Sequence, residues 1–222
     1  MAMPISLAAL PEGVRRFVLQ DLPPEPWRNG GGLTRQVAAG RFGQAKNGAL
    51  DAWDWRISVA DITADGPFSV FPGIDRTAAL AAGESLNLLA EAGALHFAQP
   101  GAVQAFAGET VLTAQLPGGP ARLFNVMTRR GQATAQLCRY GGDAALQLQP
   151  GDCCALLVVR GAFTVRLRGA SALGAVVLLQ AGEGLVVQDH AASLSLAANN
   201  PDSCLVQAHI QRCAGAETQK YS

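Results

Sequence analysis

The sequence predicts an all-β chain built as two successive barrels or sandwiches, and three observations carry that reading. Short apolar runs recur along residues 13–210, each the length of a strand. Turn signals separate them: Pro72-Gly73, Gly83-Glu84, Pro100-Gly101, Gly108-Glu109, Pro117-Gly118-Gly119-Pro120, Pro150-Gly151-Asp152 and Gly182-Glu183-Gly184. No segment carries a convincing helical period, because glycines break the alanine-rich stretches at Ala78–Ala82 and Ala90–Ala94. The strand pattern restarts near Thr134, which is why two sets are expected rather than one.

The first run lies within residues 13–20, and the prolines at 23, 24 and 26 exclude a helix after it. Leu33–Val37 reads as a second strand, and Arg41–Asp51 as a polar loop. Trp53–Ile62 alternates cleanly: Trp53, Trp55, Ile57 and Val59 take one face, while Asp54, Arg56, Ser58 and Ala60 take the other. In a barrel, one such face packs on a neighbouring sheet and the other lines the lumen. Arg122–Arg129 alternates likewise, with Asn125, Met127 and Arg129 opposite Phe124, Val126 and Thr128. Between them, Phe68–Asp75 ends a strand in a turn. Extended runs follow at Arg76–Leu89, Leu95–Phe106 and Thr110–Leu116.

In the second set, Ala135–Arg139 and Ala145–Leu148 come first. Ala155–Val159 with Phe163–Arg168 reads as a hairpin across Arg160-Gly161, and Val176–Leu179 with Leu185–Gln188 as another. Ser193–Ala197 and Cys204–Ile210 close the set. Few polar residues share a face here, so this half is expected to be structural. The expected division is 1–131 for the first half with the binding motifs, 132–212 for the second, and 213–222 for a flexible tail.

Composition narrows the function. The apolar fraction of 49% supports a substantial core, and a formal net charge of zero gives no general pull toward nucleic acid or an anionic membrane. Lys46 and Lys220 are the only lysines among 17 basic residues, so arginine dominates, a bias that a GC-rich genome alone produces. Residues 1–20 lack the layout of a leader peptide. No apolar run approaches the ~20 residues that span a bilayer. A cytoplasmic protein is expected. Its five cysteines, Cys138, Cys153, Cys154, Cys204 and Cys213, form no Cys-x-x-Cys pair and read as small buried hydrophobes, with Cys153 and Cys154 on opposite faces of one strand.

One stretch stands apart from this patterning: Pro26-Trp27-Arg28-Asn29-Gly30-Gly31-Gly32-Leu33-Thr34-Arg35. A bare glycine run would be a surface turn, but here an aromatic wall and four hydrogen-bond donors flank it. Together with Trp55–Ile62, Gly66–Thr77 and Phe124–Gly131, this stretch closely resembles the HutD/Ves family. The resemblance spans roughly residues 26–131 and implies a double-cupin fold, a place in histidine utilisation, and a regulator that senses a pathway intermediate such as formylglutamate.

The residues themselves exclude several chemistries. His96, His190 and His209 are the only histidines, and none forms the His-x-His pair by which many cupins hold a metal. His96, between Leu95 and Phe97, reads as a hydrogen-bonded strand histidine. No Gly-x-Ser-x-Gly occurs, and the glycine run lacks the Gly-Lys-Ser/Thr of a phosphate loop. Neither a metal nor any other cofactor is expected.

What remains is a set of fixed donors: Arg28, Asn29, Gly31, Arg56, Ser58, Arg76, Thr77, Asn125 and Arg129, with Trp27 and Phe71 as walls and Asp61 to brace arginines or receive an amine. Arg56 and Arg129 are the expected main anchors for a small carboxylate. Two alternatives stand beside this. The arginines could instead pair internally with Asp54, Asp61 and Asp75. The chain could also be a cupin enzyme, an isomerase or amide hydrolase with Asp61 or Asp75 as base. The expected partner is a small anionic metabolite, not nucleic acid or membrane; a homodimer is left open.

Overall fold

The structure is a computed structural model that describes residues 10–42, 53–169 and 174–214. The described chain forms nineteen strands and, as its one helical element, a 3-10 turn at Leu19–Asp21. In order the strands are β1 (Val14–Val18), β2 (Pro24–Pro26), β3 (Gly32–Gly40), β4 (Trp55–Ile62), β5 (Gly66–Pro67), β6 (Ile74–Ala82), β7 (Leu86–Ala90), β8 (Gly93–Phe97), β9 (Val103–Ala107) and β10 (Thr113–Gln115). They continue as β11 (Ala121–Arg129), β12 (Ala133–Tyr140), β13 (Ala144–Leu148), β14 (Cys153–Arg160), β15 (Ala162–Arg168), β16 (Ala175–Gln180), β17 (Glu183–Gln188), β18 (Ala192–Ala198) and β19 (Cys204–Arg212).

Four antiparallel sheets result. A six-stranded sheet, β2-β3-β4-β11-β6-β9, faces a four-stranded one, β5-β10-β7-β8. A five-stranded sheet, β1-β17-β14-β19-β12, faces a second four-stranded one, β13-β18-β15-β16. The all-β, two-set expectation holds, with each half an open pair of facing sheets rather than a closed barrel. β1 crosses over to pair with β17, so a strand from the start of the chain completes the later half.

The hairpin readings in the second half need correction. β14 pairs with β17 and β19, whereas β15 pairs with β16 and β18, so Arg160-Gly161 is a corner between sheets. The same holds for the turn from β16 to β17. The turn residues signal a reversal, but local sequence does not say which sheet receives the returning strand. Most other strands fall where alternation puts them, but β2 and β5 are too short and proline-bearing to stand out, and the run Leu95–Phe106 divides at Pro100-Gly101 into β8 and β9. The expected loop at 41–51 and the tail fall largely outside the described residues.

Alternation divides the core in three. Ile57, Val59, Phe124 and Val126 pack against Ala155, Leu157, Val206 and Ala208, joining the two large sheets. Ile62, Leu80, Leu88, Phe97 and Leu123 fill the first half, and Leu156, Phe163, Val165, Leu185 and Leu194 the second. Cys153 faces the central layer and Cys154 the second-half core, as the two-face reading expects. Burial pushes both thiols up, Cys154 to about 12, so both stay protonated at neutral pH. Among the described residues no helix is long and apolar enough to cross a membrane.

Candidate functional site

The site follows from the register of β4, β11 and β6. Asn125 on β11 lies opposite Ser58 on β4 and Ala78 on β6; one step on, Met127 lies opposite Arg56 and Arg76. Since Phe124 and Val126 face the central core, Asn125 and Met127 face the interior of the first half. Arg56, Ser58 and Arg76 share that face. Two strand spacings separate the arginines, roughly 10 Å between Cα atoms.

Arg76 is the centre of this arrangement. It is only 7% exposed. Its Nε and Nη2 donate to Asn125 Oδ1 at 3.3 and 3.0 Å, and Nη1 donates to the Ser69 carbonyl at 3.4 Å. Three rings surround the guanidinium, with centroids 5.4 Å (Phe68), 5.4 Å (Phe71) and 5.0 Å (Phe106) away. No carboxylate of the described residues pairs with it. Burial, and then the neighbouring Arg56 charge, push Arg76 down to about 10 from 12.5. It keeps its proton at neutral pH, and the shift shows a buried charge that its surroundings do not neutralise.

Arg56 sits nearer the rim. Its Nε donates to Gln36 Oε1 at 3.1 Å, and its Nη2 lies 3.9 Å from Glu25 Oε2. The glycine-rich stretch shapes the mouth. Trp27 Nε1 donates to Thr34 Oγ1 at 2.8 Å, and its ring meets Phe68 edge-on at 5.8 Å. Asn29 Oδ1 accepts from the Gly31 amide at 3.1 Å, closing the turn on itself, while Arg28 is exposed.

Several expected members lie elsewhere. Asp61 is on the opposite face of β4, held by Arg35 and by Arg122, the latter at 2.5 Å. Thr77, by the same alternation, faces away from Arg76. Arg129, expected as a main anchor, turns outward: its Nε and Nη2 donate to the Trp53 carbonyl at 3.2 and 3.1 Å, and Asp54 lies 4.0 Å off. Arg129 is the last residue of β11, and its half-exposed side chain turns onto the Trp53 carbonyl and ring instead of continuing the row. Asp75 is committed to Arg130 at 2.7 Å. Internal pairing thus accounts for Arg129 but not for Arg76.

Sequence reading missed Phe68, Phe106, Gln36 and Glu25. Phe106 lies opposite Arg76 and Gln36 opposite Ser58, pairings that only the register reveals. Phe68 was visible within Gly66–Thr77 and could have been counted as a wall.

A separate cleft of about 970 Å³ opens at the seam of the halves, beside Trp55, Asp152, Gln188, Asp189 and Gln211. Its acids are already engaged. Asp189 accepts from the Gly151 amide, and Asp152 lies 2.8 Å from His209 Nε2 and 3.3 Å from Gln211 Nε2. Burial pushes Asp152 up, but the hydrogen bonds from His209, the Gln149 amide and Gln211 outweigh it and hold the carboxyl below its usual range. Arg41, Arg212, Gln188 and Gln211 also line this cleft, whereas the donors that the sequence singles out on β4, β6 and β11 lie in the first half. His96, on β8, is hydrogen-bonded to Asn87, as its strand setting predicts. Among the described residues no three His, Cys, Asp or Glu side chains are placed to hold a metal together.

Fold and site define a cupin-like protein of two β halves with a cationic, aromatic-lined interior in the first. The chain belongs to the HutD family, whose model matches residues 19–206. An uncharacterised 21.2 kDa protein in the hutC 3′ region of Pseudomonas putida is 33% identical over 127 residues, 57% of this chain and 64% of that protein. Protein Ves of Cronobacter sakazakii is 33% identical over 122 residues, 54% of this chain and 64% of that one. The matched stretch therefore spans under two thirds of these relatives. Among solved structures, HutD from Pseudomonas fluorescens SBW25, in a formate condition, superposes with a TM-score of 0.72 at 22% identity, covering 90% of this chain and 100% of that one. A Lactobacillus farciminis oxalate decarboxylase in a formate complex shares the fold more distantly, with a TM-score of 0.55 at 12% identity over 88% and 85% of the two chains.

Proposed function

We propose that the chain is a non-catalytic regulatory protein of histidine utilisation that binds a small carboxylate, such as formylglutamate, in a metal-free site between the sheets of its first half. The observation that supports this most is Arg76: a buried guanidinium with no carboxylate partner, in an aromatic surround, with Arg56 on the same face. A buried charge of this kind is costly, and an incoming carboxylate offsets the cost through charge-assisted hydrogen bonds. The bases that the enzyme alternative names, Asp61 and Asp75, both serve other arginines, which favours binding over turnover by those residues; the carboxylate near Arg56 is Glu25, at the exposed rim.

Calorimetric titration with formylglutamate, beside an assay for its hydrolysis, tests the reading. Arg56→Lys and Arg76→Lys keep the charge and lose the two-point fork. Each should weaken binding by about 1.5–3 kcal/mol, roughly ten- to over a hundredfold. Unaltered affinity in both folded variants would refute the site, and turnover by the wild type would refute the non-catalytic role.

A further inference from the structure

Glu25 stands in an unusual relation to the site. It lies on β2, the edge strand, opposite Thr34 on β3, which in turn lies opposite Ala60 on β4. That register puts Glu25 on the same side of the sheet as Ser58 and Arg56. Its carboxylate approaches Arg56 Nη2 at 3.9 Å, too long for a hydrogen bond, and its side chain is 70% exposed. Trp27, two residues on, is held by Thr34 and Phe68 on that same side.

The two arginines therefore differ. Arg76 is deep and has no carboxylate; Arg56 is at the rim and has a loose one of the chain's own. We propose that Glu25 is an intramolecular counter-ion that the second carboxylate of a ligand displaces from Arg56, so that Glu25 sets the preference between mono- and dicarboxylates. This rests on the carboxylate-binding reading above. A monocarboxylate satisfies Arg76 and leaves Glu25 in place. A dicarboxylate long enough to bridge the arginines gains the Arg56 fork but must expel Glu25, a weak and solvent-exposed ion pair that is easily broken. The ligand class that uses the whole site is thus a short flexible dicarboxylate, with the inner acid on Arg76 and the outer one replacing Glu25.

Formate and glutarate are the probes, titrated calorimetrically into the full chain and into Glu25→Gln at fixed ionic strength. Glu25→Gln should tighten glutarate about three- to tenfold and leave formate within about twofold, because only glutarate competes with the side chain. Equal tightening of both probes would mean a general field effect and would overturn the proposal, as would no change in either. Arg56→Gln supplies a second arm: it should remove the glutarate advantage and, with it, the effect of Glu25→Gln. If formate binds but glutarate gains nothing in Glu25→Gln, this inference falls and the carboxylate site stands. If neither probe binds the wild type, the carboxylate site itself falls.

Discussion

At the scale of single residues, Arg76 sets function against stability. A guanidinium whose proton affinity burial has lowered from 12.5 to about 10 is disfavoured in the folded chain by about 3 kcal/mol. Its bonds to Asn125 and its ring contacts recover part of that. Replacing this charge by an apolar side chain of similar length relieves its burial but leaves the buried Asn125 Oδ1 without its donors, two effects of opposite sign. Arg76→Met is therefore expected to stay within about 2 kcal/mol of the wild type in denaturant unfolding, while losing at least tenfold in carboxylate affinity. A loss of more than about 2 kcal/mol in stability would show instead that Arg76 is a brace. Arg76, Arg56 and Asn125 were all legible as candidates from residue type alone. Their ranking was not, since Arg129 has the same alternation as Asn125 and differs only in lying where the strand ends.

At the scale of elements, the β2–β3 turn carries the mouth of the site, and its glycines differ. Gly30 has φ +70° with open space where a Cβ would stand. Gly32 has an ordinary φ, but a Cβ there would overlap the Asp61 carbonyl oxygen on β4. Gly30→Ala should thus cost only the left-handed penalty of about 1–2 kcal/mol, and Gly30→Asn less. Gly32→Ala must push β3 from β4, and it should cost about 1–3 kcal/mol and disturb the Trp27 contact with Phe68. Melting curves and tryptophan emission of the variants check this; equal, small effects at both positions would contradict the close approach. Three glycines in a row were conspicuous in the sequence, but which one supplies positive φ and which one supplies clearance depends on the neighbouring strand.

At the scale of the molecule, the two halves are fastened by one apolar layer, with β1 reaching across to the second-half sheet. Phe124 is fully buried in that layer. Phe124→Ala should cost about 3–5 kcal/mol and lower the unfolding of both halves together. Calorimetry showing two separate transitions, with only one moved by the substitution, would contradict a shared core.

The sequence by itself determined the all-β class, the position of most strands, the two-set organisation and the family, because alternation, turn chemistry and motif spacing are local properties of the chain. It also named the short list of donors. Only the tertiary structure decided which face of each strand looks inward, that β14 and β15 belong to different sheets, and that Asp61 and Arg129 stand outside the site. These depend on register, and a one-residue shift moves every side chain to the other face. Arg56 and Arg76 lie twenty positions apart in the chain; they come to one face because β11 runs between their strands and holds Met127 opposite both.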